Sequence, residues 1–154
     1  MRGTLSAAAR FHRRALGRRR AYRACMPLTT RAIGDESFVS LTTFRRTGVG
    51  VPTTVWVVRD GENLLVTTPA TSGKVKRLRN DDRVELRPSS RTGKVAADAP
   101  VLTGTAQVRD DAAILETVTR LMRAKYGLEY RVLMLVEKLS RKQGNRVIVR
   151  ITPA

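Results

Sequence analysis

One cysteine and one histidine in 154 residues close off several chemistries at once. With Cys25 alone there is no disulfide framework and no cysteine-rich metal site. With His12 alone, histidine metal sites and Ser-His-Asp triads are excluded unless a partner chain brings the histidine. Aromatic residues make up only 5% of the chain. That is too few to interleave with basic residues as a base-stacking surface requires, so nucleic acid is not an expected partner. The longest apolar run, around Val132 to Val136, falls far short of the ~20 residues of a membrane span, so no membrane partner is expected either. The lone thiol fits a reducing compartment, and the expected localisation is cytoplasmic.

Acid is missing from residues 1–25, which hold eight of the 30 Lys and Arg. The rest of the chain keeps 22 basic residues against all 13 acids, a net charge of +9 where the whole chain has +17. Three readings fit the basic segment. It is an arm for nucleic acid or acidic lipid, an organellar transit peptide, or a stretch upstream of the working start at Met26. It lacks the apolar core of a secretory signal. The expected organisation is a basic extension over 1–25, disordered or outside the working protein, and one domain over 26–154. Deleting the extension is expected to leave folding and activity intact.

Apolar content of 42% is that of a globular chain. From Ser37 the pattern is β. SFVSLTTFR alternates, RRTGVG turns, and VPTTVWVV reads as a second strand with Pro52 at its start. Asp60-Gly61 is a tight-turn pair before a third strand, NLLVTT. These three read as a meander of hairpins. RVELR alternates as a half-buried strand, and PSSRTGKVAADAP is a turn-rich loop. VLTGTAQVR follows with Gly104 as a bulge or close-approach point, and NRVIVRIT closes the chain.

Pro69 ends the third strand, and Ser72 is placed to cap a short basic helix reaching about Asn80. Asp110 and Asp111 open a long helix that Gly127 closes, and a second helix covers Glu129 to Arg141. About six strands and three helices, without regular β-α alternation, predict a mainly antiparallel α+β fold or a small barrel.

Chemistry concentrates in TTPATSGKVKRLRND, Thr67 to Asp81. Glycine lets backbone approach a ligand closely, serine offers a hydroxyl at a helix start, and lysine adds a cation. Together Ser72, Gly73 and Lys74 read as an anion site, phosphate being the usual anion. The alternative is a capped surface helix with a solvated basic face. A phosphate-loop pattern fails, because Thr68 and Val75 stand where glycine and a hydroxyl are needed. If the second and third strands pair, Thr53, Thr54, Thr67 and Thr68 offer hydroxyls along one groove beside Pro52 to Trp56. An extended, phosphorylated, planar cofactor suits such a groove. Trp56 either flanks its ring or packs in the core.

In that order, FVSLTTFRRTGVGVPTTVWVV, LLVTTPATSGKVKRLRNDDRVELRP, RTGKV and VLTGTAQV resemble the split β-barrel superfamily of pyridoxamine 5'-phosphate oxidase. They are most similar to its actinobacterial branch that uses the deazaflavin coenzyme F420. The resemblance runs from about Ser37 to the C-terminus. It implies a split barrel, a homodimer with the cofactor between protomers, and hydride transfer to a small organic acceptor. It implies that Ser72, Gly73 and Lys74 hold the cofactor phosphate, and that Thr67 and Thr68 line its ribityl chain. Pro52, Thr53, Thr54 and Val55 would run beside the ring, with Trp56 near them. Lys76, Arg77 and Arg91 would meet the acidic tail that separates F420 from FMN. FMN-using relatives tend to have Ser-Arg-Lys where this chain has Gly73, which favours F420 over FMN. No catalytic side chain is implied; Tyr126 and Tyr130 are candidate proton donors that equally suit helix packing.

Overall fold

The strands lie where alternation and β-branched residues predict them. The computed structural model describes residues 28–139 and 145–154. The basic extension over 1–25 and the expected helix end at Arg141 therefore lie outside the described residues. The strands are β1 (Val39–Phe44), β2 (Gly50–Val55), β3 (Val58–Asp60), β4 (Asn63–Pro69), β5 (Arg83–Pro88), β6 (Leu102–Arg109) and β7 (Arg146–Pro153). They form one antiparallel sheet in the order β2-β1-β5-β6-β7-β4-β3.

The two outermost strands, β2 and β3, are consecutive in the chain and joined only by Trp56 and Val57. Laid flat, a seven-stranded sheet puts its edges about 29 Å apart, at about 4.8 Å per strand. The step from Val55 to Val58 reaches only about 10 Å. The sheet must therefore curl until its edges meet at this corner, which makes it a split barrel within an α+β fold.

This arrangement corrects two expectations. VPTTVWVV is two strands, not one, which raises the count from six to seven. Its first half pairs with β1 and its second with β4, so β2 and β4 are not hairpin partners. Hydropathy runs unbroken through the seam because Val55 and Val57 face the barrel core and Val58 is buried on the opposite face.

Alternate residues of the strands point inward. Val39, Leu41, Val55, Leu64, Val66, Val84, Leu86, Val149 and Ile151 form the barrel core. On the outer face Val58, Leu65 and Ile148 pack against a long helix. Three helices complete the fold. α1 (Thr30–Asp35) is capped by the Thr29 side chain, which accepts from Ala32 N at 3.1 Å, and it sends Ile33 into the core. The sequence pattern did not reveal this short helix. α2 (Gly73–Leu78) buries Val75 and Leu78. α3 (Ala112–Leu139) begins at Asp111, whose carboxylate accepts from Ile114 N at 3.2 Å. It breaks at Gly127, with φ 52° and ψ −120°, into the two helical arms expected. At Gly104 a β-carbon would collide with Thr152 O, so the close approach read from the sequence is real. Among the described residues no helix is long and apolar enough to cross a membrane.

Candidate functional site

β4 delivers two threonines to the barrel end, and the pleat sends them to opposite faces. Thr68 points inward and is only 1% exposed. Its Oγ1 accepts from Lys74 Nζ at 3.0 Å and donates to Ser72 Oγ at 3.3 Å. Thr67 faces the other side, where its Oγ1 accepts from Arg146 Nε at 3.0 Å. The two therefore do not line one groove with the β2 threonines. They grip the strand end from both sides.

Ser72 holds the N-cap position of α2 with extended backbone, yet its side chain makes no capping hydrogen bond. The hydroxyl turns to Thr68 instead. With only six residues, α2 contributes little dipole. The positive character here comes from side chains.

Lys74 and Arg77 are three apart and share one face of α2, whereas Lys76 lies on the other and is exposed. Burial pushes the Lys74 ammonium below its ordinary pKa, and the charges of Arg77 and Arg146 push it the same way. Arg77 is likewise lowered, first by desolvation and then by Arg45. Its Nε donates to Thr43 Oγ1 at 2.7 Å, and Thr43 is fully buried on β1. Gly73 leaves room for this contact, since a β-carbon there would sit 3.0 Å from an Arg77 guanidinium nitrogen. The result is a partly buried cluster of positive charge bonded to threonine hydroxyls. The attraction of an arriving anion would offset the desolvation cost and the repulsion between the cations.

The start of β2 reaches this cluster through β1, because Thr43 is paired with Val51. Pro52 and Thr53 come next along β2; Pro52 is exposed on the outer face and Thr53 half-buried on the inner one. Further along, Thr54 meets the Ser90–Lys94 turn: a β-carbon on Gly93 would lie 2.6 Å from Thr54 Oγ1. Arg91 is exposed on that turn, at the end of β2 away from Thr43. Val55 is part of the barrel core. Trp56 stacks on Tyr126 at 4.8 Å and 12°, with Phe38 and Tyr130 tilted against it at 6.3 Å.

Tyr126 is held by backbone. Its hydroxyl accepts from Val57 N at 3.1 Å and lies 2.9 Å from both Val57 O and Ser37 O. Burial pushes this phenol up to about 12. Tyr130 is 5% exposed in the outer cluster. Both tyrosines pack the helix. Beside them, Lys125 Nζ donates to Gly34 O, Glu36 O and Val57 O at 2.6, 2.6 and 2.7 Å, fastening α1 and the barrel seam to α3.

The structure thus brings together Thr67, Thr68, Ser72, Gly73, Lys74 and Arg77. It adds Thr43, Arg45 and Arg146, which the sequence reading missed. Arg146 begins a strand far along the chain and reaches the site only because it stands opposite Pro69 in the β4–β7 register.

The family model described as pyridoxamine 5'-phosphate oxidase matches residues 29–154. Similar solved structures include a conserved hypothetical protein from Mycobacterium tuberculosis, 22% identical with a TM-score of 0.59, covering 80% of this chain and 77% of that one. An F420 reductase is 18% identical at TM-score 0.55, covering 84% and 96%. The heme storage protein HutZ from Vibrio cholerae is 16% identical at 0.55, covering 79% and 84%. Comparison with curated proteins gave no match. At these identities the structural likeness establishes the fold.

Proposed function

Because the chain belongs to the pyridoxamine 5'-phosphate oxidase family, we propose that it is an oxidoreductase that holds coenzyme F420 and exchanges a hydride with a small organic acceptor. One observation carries the reading: the bonded Thr68–Ser72–Lys74 group, with Arg77 and Arg146 close enough to shift Lys74. Ser72 and Lys74 would hold the cofactor phosphate, with Thr67 and Arg146 on its flank. Pro52, Thr53 and Thr54 would run beside the ring. The bound deazaflavin supplies the carbon that gives or takes the hydride. The chain's own part is to bind, orient and exclude water. Tyr126 is not assigned a proton, because backbone groups already hold its hydroxyl.

The surplus of basic over acidic residues beyond residue 25 suits a polyanionic cofactor, and exposed Lys76 and Arg91 are proposed to meet its tail. A homodimer is part of the proposal. Leu128, Val132 and Leu135, 73%, 59% and 57% exposed, lie at helical spacing on the second arm of α3 and offer an apolar stripe to a second copy. FMN is the second reading: Lys74, with Arg77 and Arg146 near enough to lower its pKa, groups three cations that a phosphate monoester without an acidic tail would also take. A cofactor carrier without turnover would use the same residues.

Titration of the chain with F420, and separately with FMN, followed by cofactor fluorescence, tests the reading. Selective F420 binding is expected, weakened about ten- to a hundredfold by Lys74→Ala, the range for a charge-assisted hydrogen bond. Selective FMN binding would keep the fold and change the cofactor. Binding of neither would leave the Thr68–Lys74 group a purely structural contact.

A further inference from the structure

A second basic feature adjoins the Ser72–Lys74 group and shares Arg45 with it. The β1–β2 turn and the loop from α2 to β5 border an open cleft of about 710 Å³, lined by Arg45, Arg46, Arg79, Asp81, Asp82 and Arg83, with Gly48, Leu78 and Asn80. Its walls are held by local bonds. The turn closes through Arg45 N to Val49 O at 2.9 Å and Gly48 N to Arg45 O at 2.8 Å. Across from it, Asn80 N and Asp81 N both donate to Arg77 O, at 2.9 and 3.0 Å.

The charges in this cleft are unevenly matched. Asp81 takes Arg83 in a two-pronged pair at 3.0 and 2.7 Å. Arg83 also lies over the Phe44 ring at 5.1 Å. That pair is internally satisfied. Arg45, Arg46 and Arg79 have no ion pair or side-chain hydrogen bond among the described residues, and only Asp82 remains to set against them. A surplus of two positive charges therefore faces one open, solvent-accessible cleft. Guanidinium forks match oxyanions two bonds at a time, and three forks around one space favour a ligand with more than one anionic group.

We propose that this cleft is a second anion site, taking a small molecule with at least two oxyanion groups. Arg45, Arg46 and Arg79 supply the forks, and Asn80 stands beside them as a polar neighbour. The site does not depend on which cofactor, if any, the Ser72–Lys74 group holds. Arg45 also lowers the Arg77 pKa, so the two sites touch electrostatically through one residue.

Calorimetric titration of the full chain with pyrophosphate and with citrate, at constant ionic strength, tests the site. Acetate serves as the single-charge comparison. Saturable binding of pyrophosphate, citrate or both is expected, with acetate much weaker; the stronger of the two tells phosphate from carboxylate chemistry. The Arg45→Gln/Arg46→Gln double variant and Arg79→Gln should each weaken it about tenfold or more, while Lys74→Ala keeps it within about twofold. Thermal melts of each variant establish that the fold is intact. No saturable binding overturns the proposal. So does binding lost in Lys74→Ala but kept in the arginine variants, which places the anion at the other group. Equal weakening in every variant, or none in any, also overturns it by showing diffuse attraction to a basic protein.

Discussion

Lys74 sits where its own stability and its proposed use conflict. Its ammonium is half-desolvated and pressed by two cations, so the folded chain holds that charge at a cost. Lys74→Met should therefore leave the melting temperature of the ligand-free protein unchanged or raised, while anion binding at Ser72 falls at least tenfold. A clear drop in melting temperature would show instead that the bond to Thr68 dominates. Tyr126 makes the opposite case. Its phenol titrates at about 12 when folded and near 10 when unfolded. Between those values the folded state binds more protons, so stability falls as pH rises from about 10 to about 12. Tyr126→Phe keeps the stack on Trp56, loses the hydroxyl, and should cost about 1–2 kcal/mol near neutral pH. Its melting temperature should then fall less steeply over that alkaline range than that of the parent chain.

At the scale of elements, the break in α3 is set by one backbone angle pair. Gly127 at φ 52° and ψ −120° occupies a region that side chains avoid, although a β-carbon there would meet nothing within 4 Å. Gly127→Ala should therefore destabilise through backbone strain alone, by about 1–3 kcal/mol, read as a lower denaturation midpoint. The arm beyond the break carries the exposed stripe of Leu128, Val132 and Leu135. If a second copy covers it, Val132→Glu shifts the mass measured by light scattering from dimer to monomer and leaves the far-UV spectrum unchanged. A parent chain that is already monomeric would remove the stripe from the account.

For the molecule as a whole, the described residues by themselves close a barrel core, with Leu28 packed against it and Ile33 inside it. A chain lacking residues 1–25 should accordingly fold, melt at the parent temperature and bind the same cofactor. Loss of thermal stability in that chain would assign the basic segment a structural part. The curled sheet also explains how residues far apart in sequence share one site. Thr43, Thr68 and Arg146 come from β1, β4 and β7; α2 bonds the first two through Arg77 and Lys74, and Arg146 bonds Thr67 beside them.

Alternation of period two and the punctuation by Gly and Pro made most strands, the α2 junction and the Gly127 break legible in the sequence. So was the candidate anion group, because Ser72, Gly73 and Lys74 are neighbours in the chain and need no tertiary contact to meet. Pairing partners were not legible. VPTTVWVV reads as one strand because hydropathy reports burial, and both sides of the barrel seam are buried. Whether Val55 and Val58 belong to one ladder or two depends on curvature, which arises from the whole sheet. The same holds for Arg146, Thr43 and Lys125, whose roles come from register and from helix placement. Local sequence determined which residues form strands and where the candidate anion group sits. Only the closed sheet decided which face each threonine takes and which distant arginines stand beside Lys74, because long-range contacts, unlike propensities, do not exist until the chain has folded.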